Sequence, residues 1–134
     1  MIGHQYINKA SHFGQRKLLI TEIMFLTLKA HPKKEYTIIY AGAASNSKYP
    51  VLYELFKMCR FILIDPNPFS KNVTMTEHIY FPPRTATELI INQIKTNPQL
   101  RTFVINDLCT IDLISALAKL PDNILFISDI RTKL

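Results

Sequence analysis

The sequence predicts an α/β fold: an open, mostly parallel sheet with helices on both faces, wound in both directions from its centre. Three observations carry this. Strand-like and helix-like segments alternate along the chain. The strand-like segments, such as YTIIY, FILI and TFVI, are apolar at consecutive positions, as strands covered on both faces must be. Three of them run into an acidic residue, Asp65, Asp107 or Asp129, at the carboxyl end, where such sheets bind ligands. With 134 residues there is room for one domain with a self-sufficient core.

The elements are justified in chain order. Residues 1–13 are mixed and polar and read as an N-terminal arm; the remaining 14–134 form the domain. The segment GQRKLLITEIMFLTLKA, residues 14–30, predicts a helix from the spacing of Leu19, Ile23 and Leu26, and His31-Pro32 stops it. Tyr36–Tyr40 predicts a buried strand rich in β-branched and aromatic residues. Lys48–Met58 predicts a helix with Pro50 in its first turn and Val51, Leu52, Leu55 and Phe56 facing inward. Phe61–Ile64 predicts a strand broken by Pro66-Asn67-Pro68, and Val73–Phe81 a further strand of mixed pattern. Thr85–Lys95 predicts a helix opened by a Thr85/Glu88 capping box. A strand at Thr102–Ile105, a helix at Ile111–Leu120 and a strand at Ile124–Ile127 complete the series.

Composition narrows the function classes. Apolar residues are 48% and charged residues 19%, which excludes a disordered or collagen-like chain. The apolar stretches are too short to span a bilayer, so no membrane partner is expected. Cys59 and Cys109 read as reduced thiols, and no His or Cys spacing suggests a metal site. The formal net charge of +6 is compatible with an anionic partner such as RNA, and equally with an ordinary solvated surface.

The chemistry-bearing pattern begins in TIIYAGAASNSKYP. Gly42 permits a tight turn and close approach of a ligand, Asn46 tolerates left-handed backbone, and Ser45 or Ser47 can cap the following helix. Asp65 closes the next strand, where a carboxylate can accept ribose hydroxyls. Neither a dinucleotide fingerprint nor a P-loop is present. An adenosine-containing ligand without a phosphate to cradle, such as S-adenosylmethionine, fits this pattern best.

Four ordered blocks, GQRKLLITEIMFLTLKA, TIIYAGAASNSKY, FILIDPNPF and ILFISDIRTK, together resemble the poxvirus cap-specific mRNA 2′-O-methyltransferase family, whose members also serve as the small regulatory subunit of the viral poly(A) polymerase. The resemblance implies a Rossmann-like methyltransferase fold and transfer of methyl from S-adenosylmethionine to a cap-proximal ribose 2′-hydroxyl. It puts Lys17 and Asp129 on catalytic positions. It puts Gln15, Tyr40, Gly42, Asn46, Asp65 and Arg131 on or beside cofactor positions. Capped mRNA and a poly(A) polymerase catalytic subunit are the implied partners, and the cytoplasm or virion the implied location.

The chain departs from the family pattern in three ways. Asn46 stands where the family loop has a second glycine. An extra helix–strand unit separates Asp65 from Asp129, which leaves Asp107 as the alternative to Asp129. The family's second catalytic lysine and its glutamate would lie beyond Leu134, so the chain reads as C-terminally truncated relative to the family. Two function readings therefore stand: a cap 2′-O-methyltransferase domain, or a catalytically inactive relative that binds RNA or regulates a poly(A) polymerase. A third is an α/β domain for another small ligand.

Overall fold

The computed structural model describes residues 35–44 and 49–128. The arm at 1–13 and the helix expected at 14–30 lie outside the described residues. The element order is β1 (Tyr36–Ala41), α1 (Tyr49–Leu55), β2 (Cys59–Ile64), α2 (Lys71–Thr74), β3 (His78–Phe81), α3 (Thr87–Thr96), β4 (Thr102–Ile105), α4 (Ile111–Leu117) and β5 (Asn123–Ser128).

The strands form one five-stranded sheet in the order β3-β4-β2-β1-β5, every pair parallel. Alternate residues of β1, β2, β4 and β5 enter opposite cores, while the edge strand β3 buries Phe81 on one side and leaves Tyr80 exposed. Ile38, Tyr40, Phe61, Leu63, Val104, Leu125 and Ile127 pack under α1 and α2, with Tyr49, Leu52, Phe56 and Val73. Ile39, Ile62, Ile64, Phe103 and Ile105 pack on the opposite face against Ile90 and Ile94 of α3 and Leu113 and Leu117 of α4. Burial on both faces is why these strands lack the polar alternation of a half-exposed sheet.

The connections share one hand. From β1 to β2 and from β2 to β3 the chain moves towards the β3 edge with its helix on the α1 side. From β3 to β4 and from β4 to β5 it moves back with its helix on the other side. Reversing both direction and face preserves handedness, as parallel crossovers require. The result is a doubly wound, Rossmann-like α/β sheet. The extra unit between Asp65 and Asp129 is accommodated by sending β3 to the sheet edge, with β4 filling the place between β3 and β2.

Three expectations are corrected. Val73 belongs to α2, not to a strand, and β3 is confined to His78–Phe81. The α2 turn closes through Val73 N–H to the Ser70 carbonyl at 3.1 Å, and the hydroxyls of Thr74 and Thr76 donate to the carbonyls of Lys71 and Val73. Complete burial of Val73 then outweighs its strand preference. α3 starts at Thr87 behind Ala86, which offers no side-chain cap. Thr85 instead closes a type II-like turn over Pro82-Pro83-Arg84: its N–H and its hydroxyl both donate to the Pro82 carbonyl, and Arg84 takes φ 69°. In α1 the buried face is Tyr49 and Leu52, continued by Phe56 just past its end; Val51 and Leu55 are 55% and 52% exposed. Positions three and four apart share a face, and the sheet selects the stripe beginning at Tyr49.

Two arginines tie helix ends to strand starts. Arg101 donates to the carbonyls of Cys59, Tyr53 and Phe56 and lies 3.9 Å over the Tyr53 ring, satisfying the C-terminus of α1. Arg60 does the same for α3 through the carbonyls of Ile94, Asn97 and Leu100, and is 3.8 Å from Asp122.

Candidate functional site at the carboxyl edge of the sheet

The strands finish in one row. Ala41 pairs with Ile64 on one side and Ser128 on the other, Ile64 with Ile105, and Ile105 with Phe81. The neighbouring strands β2 and β4 send their connections to opposite faces, β2 to α2 and β4 to α4, and doubly wound sheets form their ligand crevice where neighbouring connections part in this way. The residues just past this row therefore make up the candidate site.

Gly42 opens it. Its N–H donates to the Ile64 carbonyl at 2.8 Å and its φ is 81°, a left-handed conformation that a Cβ would disfavour. The turn carries Ala43 and Ala44 across the end of β2. There the N–H of Ala44 donates to Asp65 Oδ2 at 3.0 Å. Asp65 Oδ1 accepts from the backbone N–H of Asn67 at 2.9 Å and from its side-chain amide at 3.1 Å. Asp65 is only 7% exposed, so these donors replace water around its carboxylate.

Asn106, just past β4, extends the chain of contacts. Its side-chain N–H₂ donates to the carbonyls of Asp65 and Asn67, each at 2.9 Å. Its Oδ1 accepts from the Tyr80 hydroxyl at 2.8 Å, and its backbone N–H bonds to the Phe81 carbonyl. Hydrogen bonds thus join the ends of β1, β2, β4 and β3. Neither Asn106 nor Tyr80 is singled out by the sequence reading. The only advance signal is that polar Asn-Asp follows the apolar strand β4 at the same place as Asp-Pro-Asn follows β2.

Asp107 serves the neighbouring loops. Its carboxylate accepts the N–H groups of Arg84 and Leu108, at 3.0 and 2.7 Å, and these bonds hold its pKa below the ordinary aspartate value. The Arg84 contact supports a backbone conformation unfavourable for a non-glycine residue.

Of the residues expected at the site, the structure brings together Gly42 and Asp65. Tyr40 is 2% exposed and packs into the core beneath α1. Ser128 pairs with Ala41, so β5 delivers the chain to the rim beside the Gly42 turn. Asp129 itself, with Gln15, Lys17, Asn46 and Arg131, lies outside the described residues.

The donor set can be tested against an adenosine ligand. Gly42 leaves the space a Cβ would fill. An ionised carboxylate offers about four acceptor positions. Asp65 uses three of these on Ala44 and Asn67. One remains for a ribose hydroxyl, and holding both would require Asn67 to yield a bond. The residues fit the group, with that restriction. Burial raises the pKa of both Cys59 and Cys109, which lowers the share of the reactive thiolate at each.

No curated protein and no solved structure matches the chain. A family model described as poly A polymerase regulatory subunit matches residues 3–134. With the match running across every strand of the parallel sheet and the carboxyl rim, the chain belongs to the poly A polymerase regulatory subunit family.

Proposed function

We propose that the chain acts as a regulatory subunit of a poly(A) polymerase, working through contact with a catalytic subunit and RNA rather than through chemistry of its own. The observation that carries this reading is the family match over residues 3–134. The net charge of +6 suits an RNA-facing partner, although Arg60 and Arg101 are committed to main-chain carbonyls. The test is tail extension on a primer RNA by the cognate catalytic subunit, with and without this protein. Longer tails and co-elution of the two proteins are expected. Unchanged tail length together with separate elution would reject the reading.

A second reading is favoured by the Gly42–Asp65 geometry. The carboxyl rim binds S-adenosylmethionine, with Asp65 on the ribose and Gly42 under the ligand; the family resemblance adds Gln15, Asn46 and Arg131 to the cofactor set, whereas Tyr40 is buried in the core. Bound there, the group would supply an electrophilic methyl for a ribose 2′-oxygen of capped mRNA. In this reading the Lys17 amine steers the hydroxyl or takes its proton, and Asp129 orients that amine. Calorimetric titration with S-adenosylmethionine tests the ligand, and methyl transfer to capped RNA tests the reaction. No heat at millimolar ligand would dismiss both.

A further inference from the structure

The rim contains a brace that neither function reading uses. Asp65 is placed by its own carboxylate contacts to Ala44 and Asn67, but the loop bearing Asp65 and Asn67 is held from outside by Asn106. A side-chain amide can point either its N–H₂ or its oxygen at two carbonyls, and only the first is attractive. The two carbonyls favour that orientation, and Tyr80 reinforces it. Its hydroxyl, with Asn106 Oδ1 as acceptor at 2.8 Å, rewards the orientation that turns the N–H₂ toward the Asp65 and Asn67 carbonyls. Tyr80 is 48% exposed, so its hydroxyl contributes this contact without anchoring the core.

We infer that Asn106 is a positioning residue for Asp65, held in place by Tyr80, so that the edge strand β3 influences how well the crevice holds a ribose. The inference deepens the S-adenosylmethionine reading and rests on it for the ligand, while the brace itself is measurable without ligand.

The experiment uses the full chain and two variants, Tyr80→Phe and Asn106→Asp, with S-adenosylmethionine as the probe. Three readouts are taken: amide hydrogen exchange at Ala44 and Asn67 in the free protein, probe affinity, and melting temperature. Tyr80→Phe is expected to speed exchange at both amides and to weaken probe binding about three- to tenfold, the effect of one net hydrogen bond. Its melting temperature stays near that of the parent. Asn106→Asp turns a carboxylate toward two carbonyls. Its affinity is expected to be poor near neutral pH and to rise as pH falls from about 7 to about 5, when the acid gains a proton to donate. The parent, with an asparagine that does not titrate at position 106, should show no such rise.

Parent-like exchange and affinity in Tyr80→Phe would overturn the inference, as would an Asn106→Asp variant whose affinity falls without a reversed pH dependence. If Asn106→Asp does not fold, Tyr80→Phe decides alone. If the parent fails to bind the probe while exchange still responds to Tyr80→Phe, the cofactor reading fails and the brace stands.

Discussion

The backbone N–H of Ala44 donates to Asp65 Oδ2 at 3.0 Å, joining two loops whose residues are 21 apart in sequence. This bond closes the β1 and β2 ends against each other at the carboxyl rim. Removing the acceptor leaves the Ala44 and Asn67 amides without their partner. Asp65→Ala is therefore expected to cost at least about 2 kcal/mol in urea unfolding. A parent-like midpoint would show that the rim is held together by other contacts.

Gly42 at φ 81° predicts a local backbone penalty. Gly42→Ala should destabilise the protein by about 1–2 kcal/mol, the cost of left-handed backbone for an L-residue. Gly42→Asn should cost less, since asparagine tolerates that region. Equal losses for the two variants would point to crowding by the added side chain rather than backbone conformation.

Arg101 predicts a stability effect without an RNA effect. Arg101→Ala loses three carbonyl contacts and the stack on Tyr53, for about 2–3 kcal/mol. Arg101→Lys should recover less than half, because an ammonium cannot reproduce the planar fork. If the chain binds RNA, the slope of affinity against salt should be unchanged in either folded variant, as this guanidinium is committed to main-chain carbonyls. A shallower slope would place Arg101 at the RNA.

Cys59 is 1% exposed, and burial raises its thiol pKa. Alkylation by iodoacetamide at neutral pH should be slow at Cys59 in the native protein and fast in urea, because the thiolate is the reactive form. Cys109, half-buried with its pKa also raised by burial, should react at an intermediate rate. Peptide mass mapping separates the two sites.

Asp107 predicts an acid-limb effect. Hydrogen bonds from Arg84 and Leu108 depress its folded pKa, so its contribution to stability is present above the unfolded value of about 3.9 and is lost as pH falls through the folded value. Asp107→Asn should flatten the fall in stability below about pH 4. An acid limb as steep as the parent's would assign it to other carboxylates.

The legible parts of the fold were those with unmixed local signals. Thr102–Ile105 is a strand over the expected residues, and Tyr36–Ala41 differs from expectation by its final alanine. Val73 was misread because a β-branched residue before HIYF looks like strand, while the turn that captures it depends on hydroxyls meeting nearby carbonyls. Thr85 matched a capping pattern, but two prolines ahead of it made a turn that claimed its hydroxyl first. At the site, Gly42 and Asp65 were visible because each has a backbone or charge signature. Asn106 and Tyr80 were not, since a lone asparagine after a strand and a tyrosine within one have no spacing rule connecting them.

Local pattern alone determined that strands and helices alternate, that the strands are buried on both faces, and that a glycine turn and an aspartate end successive strands; these follow from side-chain periodicity and backbone preference within a few residues. Only the tertiary structure decided that β3 goes to the edge beyond β4, that α1 turns Tyr49 rather than Val51 inward, and that Asn106 reaches the Asp65 loop. Those outcomes depend on which strands pair and which surfaces meet. That is a contest between burial and hydrogen-bond satisfaction among residues far apart in the chain.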